Sequence, residues 1–142
     1  MSDFLEAVSA AFRRLIDRGF LVIVSDQYDE KAFGNAVVVL AGGNVRIRLV
    51  RDRGDIFADA ASVNFPDEWA PLERVLVAVG VPAVRPEGLL MPADSANLVE
   101  KHFTMLDAGL GGDQLDETKT RLAEIKRFKT AEAMRRLKGG KD

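Results

Sequence analysis

Residues 33–62 read FGNAVVVLAGGNVRIRLVRDRGDIFADAAS, and this stretch decides the fold. Ala36 to Ala41 is an apolar run too short for a helix, so it reads as a strand. Gly42-Gly43-Asn44 supplies residues that tolerate positive φ, as a tight hairpin turn requires. The next strand alternates: Val45, Ile47 and Leu49 fall on one face, and Arg46, Arg48 and Val50 on the other. A second turn is expected at Asp52-Arg53, with Gly54 beside it. That turn sets Arg46 opposite Asp59 and Arg48 opposite Phe57, an ion pair and a cation over a ring on one face. On the other face it pairs Leu49 with Ile56 and Ile47 with Ala58. A bulge at Gly54 would shift the register by one.

Before this meander, Phe4, Leu5, Val8, Phe12, Leu15 and Ile16 recur at helical spacing. Ser2 or Asp3 can cap that helix and Gly19 ends it. FLVIV, Phe20 to Val24, is continuously apolar and predicts a strand buried on both faces. Ser25 to Ala32 is polar and predicts a loop or wide hairpin connection. After the meander, Asp67, Trp69, Leu72, Val75, Leu76 and Val79 predict an amphipathic helix closed by Gly80, with Pro71 in its first turn. Trp69 is expected to anchor this helix in the core.

The segment Val81 to Pro92 carries three prolines and predicts an extended connection. Asp94 or Ser95 then caps a helix carrying Leu98, Val99, His102, Met105 and Leu106. AGLGGD interrupts it, and Asp113 caps a last helix bearing Leu115, Leu122, Ile125, Phe128 or Lys129, and Met134, before a frayed GGKD end. The predicted order is α-β-β-β-β-α-α-α. This is an α+β domain over 1–142, with a four-stranded antiparallel meander sheet, an N-terminal helix and three C-terminal helices. Sheet and flanking helices occupy 1–80, the connection 81–93, and a helical pair 94–138. The first helix and the Trp69 helix are expected to cover one sheet face. The other face is left to solvent, to the C-terminal helices, or to association.

A chain of 142 residues can bury one core unaided, and its 47% apolar and 30% charged composition is globular. There is no cysteine, which excludes disulfides, thiolate metal sites and a cysteine nucleophile. No window approaches the roughly 18 apolar residues of a membrane span. The N-terminal helix is interrupted by charge, unlike a signal peptide. A soluble, cytoplasmic protein is expected. Net charge is −2, which argues against general attraction to nucleic acid, although basic residues crowd the chain from Lys119 onward.

His102 is the single histidine. A histidine-based hydrolase would have to use it, yet its helical setting after Leu98 and Val99 suits packing. Asp52, Asp55 and Asp59 lack the ordered oxygen spacing of a calcium loop, and Arg51 and Arg53 interleave with them. Gly42-Gly43-Asn44 lacks the lysine-serine ending of a phosphate loop. No metal or cofactor is expected, nor catalysis. A carboxylate-only reaction would need Asp55 with Asp59 or Glu100, and no spacing pairs them.

The leading helix, FGNAVVVL, VRIRLVRDRGDIFADAAS and the WAPLERVLVAVGV segment together resemble small bacterial proteins of unassigned function. Some of those resemble immunity proteins of polymorphic or contact-dependent toxin systems. The resemblance covers residues 1 to 81. It implies a non-enzymatic module that binds and occludes a partner protein such as a toxin domain. Arg46, Arg48, Arg51, Arg53, Phe57 and Asp59 are the expected partner-binding residues. The alternative is an accessory protein that binds nucleic acid or another acidic ligand through the arginine hairpin and the basic C-terminal helix. Open sheet edges also admit a homodimer.

Overall fold

The computed structural model describes residues 3–32, 34–83 and 86–138. Ser2 as a cap, Phe33, the connection at Val84 and Arg85, and the fraying of Gly139 to Asp142 lie outside the described residues. Among the described residues the elements run α1 (Asp3–Ala11), α2 (Arg13–Asp17), β1 (Val22–Asp29), β2 (Asn35–Gly42), β3 (Val45–Asp52), β4 (Asp55–Ser62) and β5 (Ala70–Pro71). They continue with α3 (Leu72–Ala78), α4 (Pro92–Gly109), a 3₁₀ turn (Gly112–Gln114) and α5 (Leu115–Lys138). The five strands form one antiparallel sheet in the order β1-β2-β3-β4-β5.

The expected α+β meander is present, with a fifth strand added at its end. Asp67 to Ala70 do not begin the third helix as expected. Proline biases the residue before it towards extended backbone. Pro71 therefore holds Ala70 extended against Ala60, itself pairs with Asp59, and leaves α3 to start at Leu72. Proline is tolerated there because β5 is an edge strand.

The β3–β4 turn also differs from expectation. Its two loop residues are Arg53 and Gly54, both at positive φ (53° and 88°), as a type I′ hairpin demands. Arg48 therefore faces Asp59, Arg46 faces Ala61, and Val50 faces Phe57, two residues along from the expected pairing. Ile47 and Leu49 likewise face Ala60 and Ala58. A slip of two preserves parity, so every side chain stays on its expected face.

β1 corrects two expectations. It runs on through Asp29, pairing Tyr28 with Ala36, so most of the polar stretch is strand and not loop. The Asp29 carboxylate closes the turn, accepting from the backbone N–H of Lys31 (3.0 Å) and Ala32 (3.2 Å). Nor is β1 buried on both faces: it is an edge strand, with Val22 55% and Val24 51% exposed. A bulge between Ile23 and Ser25 interrupts its ladder, a common feature of sheet edges.

One face of the sheet carries the core. Val38, Leu40, Ile47, Leu49, Ala58 and Ala60 are buried there together with Phe4, Val8 and Phe12, with Leu72 and Val75 of α3, and with Val99 and Leu106 of α4. The single N-terminal helix expected is instead two, α1 and α2, broken at Phe12 (φ −95°, ψ 9°), and Gly19 (φ 78°) follows the second, with the Phe20 N–H donating to the Leu15 carbonyl. α4 starts at Pro92 with no side-chain cap, and the Ser95 hydroxyl donates back to the Met91 carbonyl instead of capping. His102, half-buried, marks a break in α4 (φ −117°, ψ 18°). α5 packs chiefly on α3.

Candidate functional site: the open sheet face

The residues of the second sheet face lie outside the core cluster that the helices share. Strand alternation puts Val37, Val39 and Ala41 of β2 there, beside Arg46, Arg48 and Val50 of β3 and Phe57, Asp59 and Ala61 of β4. β1 adds Val22 along its edge, opposite Ala41. Val39 and Ala61 are buried, at 6% and 3% exposure, yet they lie outside the core cluster. They form the floor of a second, solvent-facing layer.

Arg48 stands at the centre of this layer. Its Nε (3.0 Å) and NH2 (2.6 Å) both donate to Oδ2 of Asp59, a bond strengthened by both charges. The guanidinium carbon also lies 4.6 Å from the Trp69 ring centroid. Arg46 stacks on the same indole at 5.1 Å and donates from NH1 to the Pro66 carbonyl at 2.6 Å. Trp69 thus fixes two guanidiniums through its π-face. Arg46 has no carboxylate partner among the described residues and keeps its charge uncompensated.

The expected aromatic partner of Arg48 was Phe57; the two-residue difference in register and the placement of Trp69 give it Trp69 instead. Trp69 is half-buried against this face and is not in the core cluster. The sequence does contain the clue, in Pro71: a proline at the mouth of α3 leaves a tryptophan two residues upstream outside the helix. Phe57 borders a shallow hollow of about 410 Å³ with Asp59, Pro71 and Leu89.

The four arginines do not share one patch. Arg51 is on the helix-covered side, donating from Nε (3.1 Å) and NH2 (2.9 Å) to the Gly34 carbonyl and lying 5.2 Å from the Phe4 ring. Arg53 sits in the β3–β4 turn, its backbone N–H bonded to the Asn35 side chain at 2.8 Å. Of the six expected partner-binding residues, Arg46, Arg48, Phe57 and Asp59 share the open face.

The carboxylates weighed for acid–base chemistry are dispersed. Asp55 begins β4, Asp59 is engaged by Arg48, and Glu100 of α4 meets Arg14 at 3.2 Å. Among the described residues, no group of three or more His, Cys, Asp or Glu is placed to hold a metal ion. No described helix is long and apolar enough to cross a membrane.

Two acidic side chains fasten the 86–90 segment. Glu87 takes two bonds from Arg74 (2.7 and 3.1 Å) and meets Lys129 at 3.2 Å. Burial pushes the Glu87 carboxyl up, but bonding to Arg74 and Lys129 outweighs it and holds the group below its ordinary range. Glu73, buried, accepts from the Gly88 N–H through Oε2 at 3.1 Å, and its Oε1 has no partner among the described residues. On α5, Arg121 and Arg136 pair with Glu117 and Glu132, while Lys126, Arg127 and Arg135 stay exposed.

No protein-family model matches this chain, and no curated protein or solved structure matches it.

Proposed function

We propose that this protein is a non-enzymatic interaction module whose open sheet face docks a partner protein. Its role would be that of an immunity-type inhibitor, occluding a toxin domain in the bacterial cytoplasm. One observation carries the reading: a sheet face outside the helix-packed core, paved by valines, Phe57 and Trp69 and centred on two braced arginines. Apolar surface left in water is a driving force for association. Tryptophan and arginine are the side chains that most often dominate binding energy. Strands, an ion pair and a stacked indole hold the groups in place beforehand, so little side-chain freedom is lost on docking. The uncompensated charge of Arg46 favours a partner with an acidic rim, and would speed encounter and set orientation.

The test is co-purification with the polypeptides encoded beside this one, comparing the parent chain with Val37→Glu and Arg46→Glu. A complex with the parent, lost in Val37→Glu at unchanged circular dichroism, supports docking by this face. Protection of cells from the partner's toxicity should be lost in parallel. Undiminished binding by Val37→Glu, or no complex with any neighbouring product, would overturn the proposal. The nucleic-acid alternative has less support, because Arg51 faces the other way and Arg48 is engaged by Asp59. It requires binding that falls steeply with salt and with reversal of Lys126, Arg127 and Lys129.

A further inference from the structure

Between the chain at 63–70 and α5 lies a cleft of about 350 Å³, beside the docking face, with which it shares Trp69 and Ala61. Its origin is visible in the sequence. In the row where β2 and β3 set Leu40 and Ile47, β4 and β5 set Ala60 and Ala70. α5 packs on α3, and its near side lines the same cleft as those alanines. The facing stripe of α5 holds Leu115, Thr118, Lys119, Leu122 and Lys126, the spacing of one helical face. The volume is at the lower end of the range for small-molecule sites, about 300–1,000 Å³.

The two ends of the cleft differ in chemistry. At the closed end Leu115 and Thr118 are buried. The Thr118 hydroxyl donates to the Gly109 carbonyl at 2.6 Å and that of Ser62 to the Leu110 carbonyl at 2.7 Å, so neither proton is free for a ligand. An apolar group suits that end. At the mouth, Lys119 lies 3.6 Å from the Phe65 ring centroid and 3.5 Å from Glu68, and is compensated. Arg74 on the opposite wall is compensated by Glu87. Lys126 is exposed and makes no ion pair among the described residues. One uncompensated cation therefore stands where an apolar channel opens to water.

We propose that this cleft binds a small amphiphilic carboxylate, with its apolar part against Phe65, Ala70 and Leu122 and its carboxylate at Lys126. Its size suits a medium-length aliphatic chain or a single ring. The cleft shares Trp69 and Ala61 with the docking face, but Lys126 and Ala123 of α5 belong to the cleft alone, so variants at those two test it without touching the docking face.

Trp69, the chain's single tryptophan, lines the cleft and reports occupancy by its fluorescence. Octanoate titrated into the full chain below its micelle threshold should give a saturable change. Octanol, the neutral counterpart, should bind about threefold to fivefold more weakly, the worth of one exposed charge contact. Lys126→Glu should bring octanoate down to octanol's affinity or below while leaving octanol unchanged. Ala123→Phe, at an exposed position on the cleft wall, should abolish both titrations with far-UV circular dichroism retained. A linear, unsaturable response would overturn the proposal, as would equal affinity for acid and alcohol, or unaltered binding in folded Ala123→Phe. If Ala123→Phe does not fold, the Lys126→Glu comparison decides.

Discussion

Truncating Arg48 should destabilise the fold more than truncating Asp59, although the two share one ion pair. Asp59 has a side chain 11% exposed and Arg48 one 31% exposed. In Arg48→Ala the carboxylate stays in place with the donors of both its bonds from Arg48 removed. Its desolvation is then uncompensated, and the Trp69 face loses a cation worth about 0.5–1 kcal/mol. We expect a loss of about 3 kcal/mol, near the lower limit for orphaning a buried charge. In Asp59→Ala the guanidinium keeps its indole and can turn its exposed third to water, so the loss should be about 2 kcal/mol. The double variant should cost about 3.5 kcal/mol, a coupling of about 1.5 kcal/mol that fits residues in direct contact. Urea unfolding at 25 °C gives all four free energies. Circular dichroism follows the whole fold while Trp69 fluorescence reports at the pair itself. Additive effects within 0.5 kcal/mol, or a greater loss in Asp59→Ala, would refute the reasoning, because either means that Arg48 does not compensate a buried carboxylate.

Three other perturbations probe the scaffold of the two sites. Gly42→Ala sets a Cβ 1.7 Å from the Phe20 carbonyl oxygen, a backbone atom that cannot swing aside; a loss of about 3 kcal/mol is expected in urea unfolding, and a shift under 1 kcal/mol would contradict the close approach. Asp107→Ala removes the acceptor that holds the Asn44 N–H at 2.8 Å and clips α4 to the β2–β3 turn; a loss of about 1.5 kcal/mol is expected, with faster amide exchange at Asn44. The lowered ionisation of Glu87 means that its contribution is present above the ordinary glutamate value of about 4.3 and is lost as pH falls through the lower folded value. Glu87→Gln should therefore flatten the acid limb of a stability–pH profile, and an unchanged limb would contradict that linkage.

The sequence by itself determined parity. Val45, Ile47 and Leu49 had to share one face and Arg46, Arg48 and Val50 the other, because strand side chains alternate with period two. Helix ends at Gly19 and Gly80 were equally legible, since both glycines sit at positive φ (78° and 108°) just past a last helical turn. Register was not legible, because a slip of two keeps that parity, and only the positive φ of Arg53 with Gly54 chose between the candidates. β5 is two residues long, too short to leave a periodic pattern, and its pairing with β4 drew Trp69 out of the expected helix. The extension of β1 was hidden because an edge strand can be polar on both faces. The sites depend on matters more distant still. Which sheet face receives the helices, and whether α5 packs on the sheet or on α3, follow from contacts between segments far apart in the chain. Local pattern fixes which side chains travel together; only long-range packing decides which are covered, and so which remain to bind.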